Sequence, residues 1–286
     1  MRITHSWTDD TATIKVEGLE APVTMLHVTD PHVGLVDERD SDYLQACEAF
    51  NDKNKVLRRH DAFPEMMGNA DDLEIDVVAL TGDIVSFPSQ AAIEFVSEAL
   101  SKLDAEVLYT CGNHDWHFPG LDGREELREK WWPVLNRLHG GEPEFSVRER
   151  GGIQFMLLDD SIYQISEAQL DFARGVLDNG KPTVLLTHIP MSTATLRPVA
   201  IERWEAPILI GDPDWGPNSR EKWEAGEDRQ STVEFVRTIS HAENLVAVFC
   251  GHIHFPHADA LGPTAIQYVG APAFDSRWRI VEFLPL

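Results

Sequence analysis

Short apolar runs, each bounded by turn-forming residues, recur along the whole chain. Continuous runs of this kind are typical of buried β-strands. The first two predicted strands are residues 11–16 and 22–28. The remaining predicted strands are residues 75–80, 107–110, 152–158, 183–186, 245–249, 266–269 and 279–283.

Apolar residues at helical spacing mark several of the stretches between these runs. One begins at Pro88, a residue tolerated in a first helical turn, and repeats apolar side chains such as Ile93 and Val96. Another opens with Ser166 in a Ser-x-x-Gln sequence that resembles a capping box. The predicted helices are residues 41–59, 88–103, 166–177 and 231–239. Alternating strands and helices predict a layered α/β fold.

Two stretches do not fit this alternation. Residues 116–141 contain the sequence Trp131-Trp132-Pro133 and a charged segment, and residues 191–230 are rich in Pro, Trp and Gly. We interpret both as excursions from the sheet that contain some helix. No internal repeat or long low-complexity tract stands out. Because α/β enzymes of 286 residues often form one domain, we expect residues 1–286 to form a single domain that includes both excursions.

The chain is strongly acidic, with 48 acidic and 24 basic residues and a formal net charge of −24. Such a surface repels nucleic-acid backbones and anionic membranes, which makes nucleic acid an unfavourable partner. It does not exclude small phosphate esters, because bound cations can dominate the local field of a site.

The three cysteines, Cys47, Cys111 and Cys250, have no regular spacing, which argues against a disulfide framework. Reduced thiols favour a cytoplasmic protein. The first residues lack the apolar segment of a signal peptide, although an exported form that has lost its signal stays open. No apolar run approaches the roughly 20 residues that span a bilayer. The oligomeric state is left open.

Metal-competent side chains follow five of the predicted strands. Ligands of open α/β sheets bind outside the carboxyl ends of the strands, so these side chains are expected to meet in one crevice if the strands run in the same direction. Imidazole and carboxylate groups without cysteine favour iron, manganese, zinc, cobalt or nickel over a structural zinc site. The residues concerned are Asp30, His32, Asp83, Asn113, His114, His188, His252 and His254.

Each motif taken alone has an ordinary structural explanation. Gly82-Asp83 is a common turn pair, and His188 would usually be a structural histidine. His252 and His254 are more informative, because alternate residues of an extended segment point to the same side. The prediction of a metal centre depends on the occurrence of all the motifs, in order, at strand ends.

As a set, these motifs resemble the D-x-H, G-D, G-N-H-D/E, lone His and G-H-x-H pattern of the calcineurin-like metallophosphoesterase superfamily. Every element is found between residues 30 and 254. The resemblance implies an α/β fold, a four-layer α/β/β/α sandwich of two mixed β-sheets flanked by helices.

Within that superfamily, the chain is more similar to the bacterial phosphodiesterase and small-phosphatase branches. Ser86 stands where purple acid phosphatases have a metal-binding tyrosine. Residues 82–88 also lack the substrate-binding arginine of the Ser/Thr protein phosphatases.

The resemblance further implies a role for each motif residue. The implied metal ligands are Asp30, His32 and His254 for one ion, Asn113, His188 and His252 for a second ion, and Asp83 as the bridge between them. His114 is implied as the catalytic residue that contacts the phosphoryl group and assists the leaving group. Asp115 is expected to orient the His114 imidazole, as a carboxylate fixes a histidine tautomer.

The expected cofactor is a pair of divalent or trivalent metal ions, with manganese or iron preferred and zinc, cobalt or nickel as alternatives. The expected reaction is hydrolysis of a small phosphodiester, or of a phosphomonoester, by a hydroxide that bridges the metals. Two other functions stay open: a nuclease or DNA-processing phosphodiesterase, and a non-catalytic scaffold with the same fold.

Several residues outside the motifs have two interpretations. Tryptophans in or near the excursions either stack on a substrate or anchor their loops, and three arginines either contact phosphate oxygens or form ion pairs. These residues are Trp116, Trp204, Trp215, Trp223, Arg197, Arg220 and Arg277. His117 and His257, each three residues after a motif histidine, are further candidates for substrate contact, whereas His27 is expected to pack in the core.

Overall fold

A computed structural model describes residues 1–54, 60, 62–121 and 125–286 of the chain, apart from the side chains of residues 69–72. Its centre contains two six-stranded mixed sheets. The first has the order β1-β2-β12-β3-β4-β5. Its strands are β1 (Ile3–Trp7), β2 (Thr11–Val16), β3 (Val23–Val28), β4 (Val77–Thr81), β5 (Glu106–Thr110) and β12 (Arg279–Pro285). Because β3, β4 and β5 are parallel neighbours, their carboxyl ends lie at the same edge.

The second sheet has the order β10-β11-β9-β8-β7-β6. Its strands are β6 (Phe145–Arg150), β7 (Ile153–Leu158), β8 (Thr183–Leu186), β9 (Leu245–Cys250), β10 (His257–Leu261) and β11 (Ala265–Val269). The four inner strands are parallel, while β6 and β10 pair antiparallel at the two edges.

Helices flank the two sheets. They are α1 (Leu44–Lys53), α2 (Ala62–Asp72), α3 (Gln90–Leu100), α4 (Glu125–Trp131), α5 (Asn136–His139), α6 (Glu167–Leu177), α7 (Leu196–Trp204), α8 (Pro217–Lys222) and α9 (Gln230–His241). Helix α3 packs on the first sheet, for example through Ile93, and α6 and α9 pack on the second through Leu170 and Phe235.

A third apolar cluster lies between the sheets and contains Met25 and Val77 from one sheet and Phe155 and Phe249 from the other. Burial of such side chains on both faces of each sheet is the main stabilising contribution expected for this architecture. The four-layer α/β/β/α sandwich that the sequence predicted is therefore confirmed.

All nine predicted strands are present, but three more were missed: β1, β6 and β10. The prediction that residues 11–16 form the first strand is wrong, because β1 precedes them. All three missed strands lie at sheet edges. An edge strand that is only partly buried carries polar residues, as in the Ile-Thr-His-Ser-Trp sequence of β1, and so shows no continuous apolar run.

The predicted helices at 88–103, 166–177 and 231–239 correspond to α3, α6 and α9. Ser166 caps α6 with the reciprocal hydrogen bonds of a capping box, as predicted. The prediction at 41–59 corresponds to α1, and its last part, residues 55–59, lies outside the described residues. The excursions contain α4, α5, α7 and α8. Among the described residues, no helix combines the length and apolar character needed to cross a bilayer.

Candidate metal centre

The ends of five strands from both sheets converge on one buried cluster of polar side chains. Two groups of potential metal ligands share one carboxylate, that of Asp83. The first group is Asp30, His32, Asp83 and His254, and the second is Asp83, His188 and His252. Asn113 lines the same cleft. The structure therefore brings together all seven residues that the sequence analysis assigned to metals.

In the first group, the potential ligand atoms approach one another closely. The Nε2 atoms of His32 and His254 are 3.1 Å apart, and His254 Nε2 lies 3.3 Å from Asp30 Oδ1. His32 Nε2 lies 3.6 Å from Asp83 Oδ2. Two imidazole nitrogens and two carboxylates directed at one point form a donor set suited to a first-row metal ion.

In the second group, His188 Nδ1 is hydrogen-bonded to the carbonyl of Thr81 at 2.8 Å, so that Nε2 is directed at Asp83 Oδ2, 3.3 Å away. The Oδ1 atom of Asp83 accepts a hydrogen bond from the backbone N–H of His114 at 2.8 Å. A single oxygen, Asp83 Oδ2, thus lies within reach of both groups, which is the arrangement required of a bridging ligand.

The hydrogen bonding of the buried polar atoms shows whether these residues suit a metal ion. Among the described residues, Asn113 Oδ1 is buried without a hydrogen-bond partner, and His188 Nε2 makes no hydrogen bond beyond its ion-pair contact with Asp83 Oδ2. Buried polar atoms are rarely left unpaired, because the lost hydrogen bonds to water cost about 1–3 kcal/mol each. A cation bound by these two atoms would remove that cost, so the residues present fit a metal ion.

The electrostatics of the group also favour a cation. Burial lowers the pKa of His32 and of His252 to about 3, which keeps both imidazoles neutral, as metal binding requires. Burial opposes ionisation of Asp30, but His254 and His188 outweigh it and bring the pKa to about 2. Burial likewise opposes protonation of His188, yet Asp83 and Asp30 raise its pKa to about 10. Positive charge is therefore favoured between these carboxylates, and a metal ion would displace the His188 proton.

The polypeptide is close-packed behind the group. A Cβ atom at Gly251 would lie 1.8 Å from Thr29 Oγ1, and one at Gly112 would lie 2.2 Å from the Asp83 backbone nitrogen. Only glycine permits these approaches, which explains why glycine precedes His252 and Asn113 in the motifs.

His114 lies beside the metal group, with its ring centroid 4.8 Å from that of His32. Its Nδ1 is directed at the Ser86 carbonyl at 3.4 Å. Burial lowers the pKa of this imidazole, and Asp83 partly offsets that effect.

The expected contact of Asp115 with the His114 imidazole is not formed, and this prediction is wrong. The Asp115 carboxylate instead accepts hydrogen bonds from the backbone N–H groups of Val85 and Gly112, both at 2.8 Å. Asp115 therefore joins the loops after β4 and β5, and the Ser86 carbonyl is the group directed at His114. The reason is geometric, because a fully buried carboxylate requires hydrogen-bond donors, and the backbone N–H groups of Val85 and Gly112 supply one to each of its two oxygens.

Two residues that support the ligands were not identified from the sequence. Asp160 accepts hydrogen bonds from the backbone of His188 at 3.0 Å and from the Thr187 hydroxyl. Tyr163 forms a 2.8 Å hydrogen bond with His252 Nε2. Both follow β7, whose apolar run ends in Asp159-Asp160, so a polar pair at a buried strand end was the available signal.

A cleft of about 670 Å³ opens over the metal group. Its walls carry aromatic side chains from several elements, among them Phe50, Trp204, Trp223 and Phe274, together with the cations Lys53 and Arg203. A second cavity of about 220 Å³ lies next to it and shares Asn113, His114 and Trp223.

The remaining candidate residues of the sequence analysis either line one of these two cavities or make contacts within the protein. Trp204 and Trp223 line the cleft, whereas Trp215 is buried and Trp116 is buried with its indole N–H bonded to Ser161.

The three arginines form ion pairs: Arg197 with Asp212, Arg220 with Asp228 and Arg277 with Asp10. His27 is buried in the core, as expected. His117 lines the second cavity, and His257 is hydrogen-bonded to Asp259 at 3.1 Å.

Comparison with known proteins agrees with this geometry. The sequence model for the calcineurin-like phosphoesterases matches residues 23–256. No curated protein sequence matches the chain. The structure is similar to that of a dimetal phosphatase from Danio rerio, with 14% identity, a TM-score of 0.52 and 88% of each chain covered. It is also similar to the purple acid phosphatase PPD1 from yellow lupin (Lupinus luteus) seeds, with 10% identity, a TM-score of 0.53, and coverage of 90% of this chain and 46% of that chain.

At these identities the two structural likenesses concern the fold. The match of the family model is of a different kind, because it extends over most of the chain and includes all five motifs. The chain belongs to the calcineurin-like phosphoesterase family.

Proposed function

We propose that this metal-dependent phosphoesterase hydrolyses a small phosphodiester at a centre of two metal ions. The observation that carries the proposal is the position of Asp83 Oδ2, which lies within reach of two groups of buried ligands. One ion is assigned to Asp30, His32 and His254, the other to Asn113, His188 and His252, with Asp83 shared. The donor set favours manganese or iron. Two such ions supply an activated water and neutralise charge on the phosphoryl oxygens.

His114 is the proposed catalytic residue among the chain's own side chains. With Nδ1 directed at the Ser86 carbonyl, Nε2 is the nitrogen left to face a substrate. The negative charge of a bound phosphoester favours the protonated imidazole, whose Nε2–H then donates to the leaving-group oxygen.

The shape of the site favours a diester over a monoester. A phosphodiester has two organic substituents, one on each side of the phosphorus, and both must be accommodated. The two cavities meet at Asn113 and His114, so a phosphoryl group bound there has space on both sides. A monoester would occupy only one of them.

The aromatic walls of the cleft and the net charge of the protein limit which organic groups the substrate can carry. Trp204, Trp223 and Phe274 offer apolar faces on which a ring or an alkyl group can pack. The net charge of −24 opposes binding of a long polyanion such as nucleic acid. We therefore propose a small substrate and, from three free, buried cysteines, a reducing compartment such as the cytoplasm.

The test is hydrolysis of bis-p-nitrophenyl phosphate and p-nitrophenyl phosphate by Mn²⁺-loaded protein, with bound metal measured on the same sample. We expect two equivalents of metal and a higher kcat/KM for the diester. A higher kcat/KM for the monoester would overturn the diester assignment. Two bound metals without turnover of either compound would overturn hydrolysis and favour a non-catalytic scaffold.

A further inference from the structure

Tyr163 lies in the loop after β7 and joins the excursion 191–230 to the metal group. Its hydroxyl is 2.8 Å from His252 Nε2, and its ring packs edge-on to the His252 ring with the centroids 5.4 Å apart. Both side chains are buried. Water therefore does not compete for this hydrogen bond, and the two groups determine each other's orientation.

An imidazole has only two nitrogen atoms, and their roles are linked. A nitrogen that binds a metal must present its lone pair, so the other nitrogen carries the proton. Because His252 Nε2 is bonded to Tyr163, Nδ1 is the nitrogen left for a cation. The Nε2–H group then donates to the Tyr163 oxygen.

We propose that Tyr163 is a positioning residue that fixes the tautomer and ring orientation of His252, so that Nδ1 is presented to the second metal ion. The inference rests on the metal assignment of the proposed function. Without an acceptor at Nε2, His252 could place its proton on Nδ1 instead, and that tautomer cannot bind a metal through Nδ1.

The tyrosine is itself held in place by contacts of its backbone and of its ring. Its backbone has a φ of +63°, and its N–H donates to the Asp160 carbonyl at 2.8 Å. Its ring packs edge-on against Trp215 at 5.3 Å. Trp215 in turn lies under the Arg220 guanidinium at 4.9 Å, and Arg220 is ion-paired with Asp228. The excursion thus forms a rigid support behind the hydroxyl.

The same loop sets a second ligand of the same ion. Asp160, three residues before Tyr163, accepts a hydrogen bond from the His188 backbone at 3.0 Å. By contrast, His32 and His254 of the first group contact Phe274, and within the described part of the chain neither is hydrogen-bonded to a tyrosine. Loss of the Tyr163 hydroxyl should therefore weaken one ion selectively.

The experiment compares Tyr163→Phe with Tyr268→Phe. Tyr268 is a matched control, because it is also buried and its hydroxyl is 3.0 Å from a histidine nitrogen, Nδ1 of His5, away from the metal group. Mn²⁺ binding is measured by competition with a chelator, and the coupling of the two ions by electron paramagnetic resonance. We expect Tyr163→Phe to weaken one of the two equivalents by about 10- to 100-fold, as for other residues that hold a metal-binding histidine.

At intermediate Mn²⁺, the Tyr163→Phe spectrum should show isolated rather than coupled ions, while Tyr268→Phe and the unmodified protein stay coupled. If Tyr163→Phe binds both equivalents of Mn²⁺ with the affinities of the unmodified protein, the inference is overturned. A visible charge-transfer band of the Fe³⁺-loaded protein that Tyr163→Phe abolishes would also overturn it, because Tyr163 would then be a ligand itself. Failure of the unmodified protein to bind two ions would instead contradict the proposed function.

A second measurement does not require Tyr163→Phe to fold. Long-range ¹H–¹⁵N spectra of the Zn²⁺-loaded protein report which nitrogen of each histidine carries the proton, and the His252 signals are assigned by their absence in His252→Asn. A proton on Nε2 agrees with the inference, and a proton on Nδ1 contradicts it.

Discussion

Five of the seven proposed ligands have a left-handed backbone, with φ between 49° and 70°: Asp30, His32, Asp83, His252 and His254. Each such residue costs on the order of 1 kcal/mol when it is not glycine. Hydrogen bonds between the loops hold the strained turns: the Asp30 N–H donates to the Gly82 carbonyl at 3.1 Å, and the His32 N–H to the Asp83 carbonyl at 3.0 Å. Backbone hydrogen bonds between the loops thus help to hold the turns that direct these ligands to one point.

At this scale, His114→Ala should lower kcat for a phosphodiester by about 100-fold or more while two metals remain bound, because proton donation to the leaving group is lost and no ligand is removed. Steady-state kinetics and metal analysis of the same preparation measure both quantities. His139→Ala is the control, since the His139 ring is hydrogen-bonded to the Trp132 carbonyl and the Gly141 N–H, away from the metal group. An unchanged kcat in His114→Ala would remove its catalytic role.

Between the strands, the loops that follow β3, β4, β5, β8 and β9 build the site, and the loop after β7 supports it. The sequence predicted the buried strands and the convergence of the proposed ligands because both leave local signals: an apolar run and a polar residue directly after it. It did not predict the edge strands, whose partly exposed faces carry mixed residues. It also assigned Asp115 to the wrong partner. A hydrogen bond between two loops depends on how the loops pack in the folded protein, which the residues next to Asp115 in the sequence do not indicate.

The loop after β7 gives a prediction about stability. In Asp160→Ala, the buried backbone N–H groups of His188 and Ile189 lose their acceptor. The free energy of unfolding of the metal-free protein should fall by about 1–3 kcal/mol or more, measured by urea denaturation. Asp171→Ala, at a side chain that is 77% exposed, should change it by less than about 0.5 kcal/mol. Equal stabilities of the two variants would show that the loop does not depend on Asp160.

Across the whole molecule, the proposed ligands connect the two sheets. Asp30, His32, Asp83 and Asn113 follow strands of the first sheet, whereas His188, His252 and His254 follow strands of the second. Metal ions bound there would link the sheets at one edge, in addition to the apolar cluster between them. The acidic chain would also lose part of its internal repulsion at this site.

Removal of metal by a chelator should therefore lower the unfolding temperature, and renewed Mn²⁺ should restore it. A ligand that binds only the folded protein stabilises it by about 2.7 kcal/mol at a hundredfold excess over Kd. Differential scanning calorimetry measures the change. Asp83→Ala is the matched control, because without the shared carboxylate the Mn²⁺-dependent shift should be largely lost. A shift of the same size in Asp83→Ala would contradict the bridging assignment.

The position of β12 has a consequence for how the molecule assembles. Residues 279–285 lie between β2 and β3, so the β1–β2 hairpin has no place in the first sheet until this strand is inserted. During synthesis, β3, β4 and β5 can pair while β12, the strand that completes their sheet, has not yet left the ribosome. Closing a loop of this length is slow, which predicts a partly assembled species with an open sheet edge. Its exposed strand β3 would be the place where a chaperone, or a second unfinished chain, binds first.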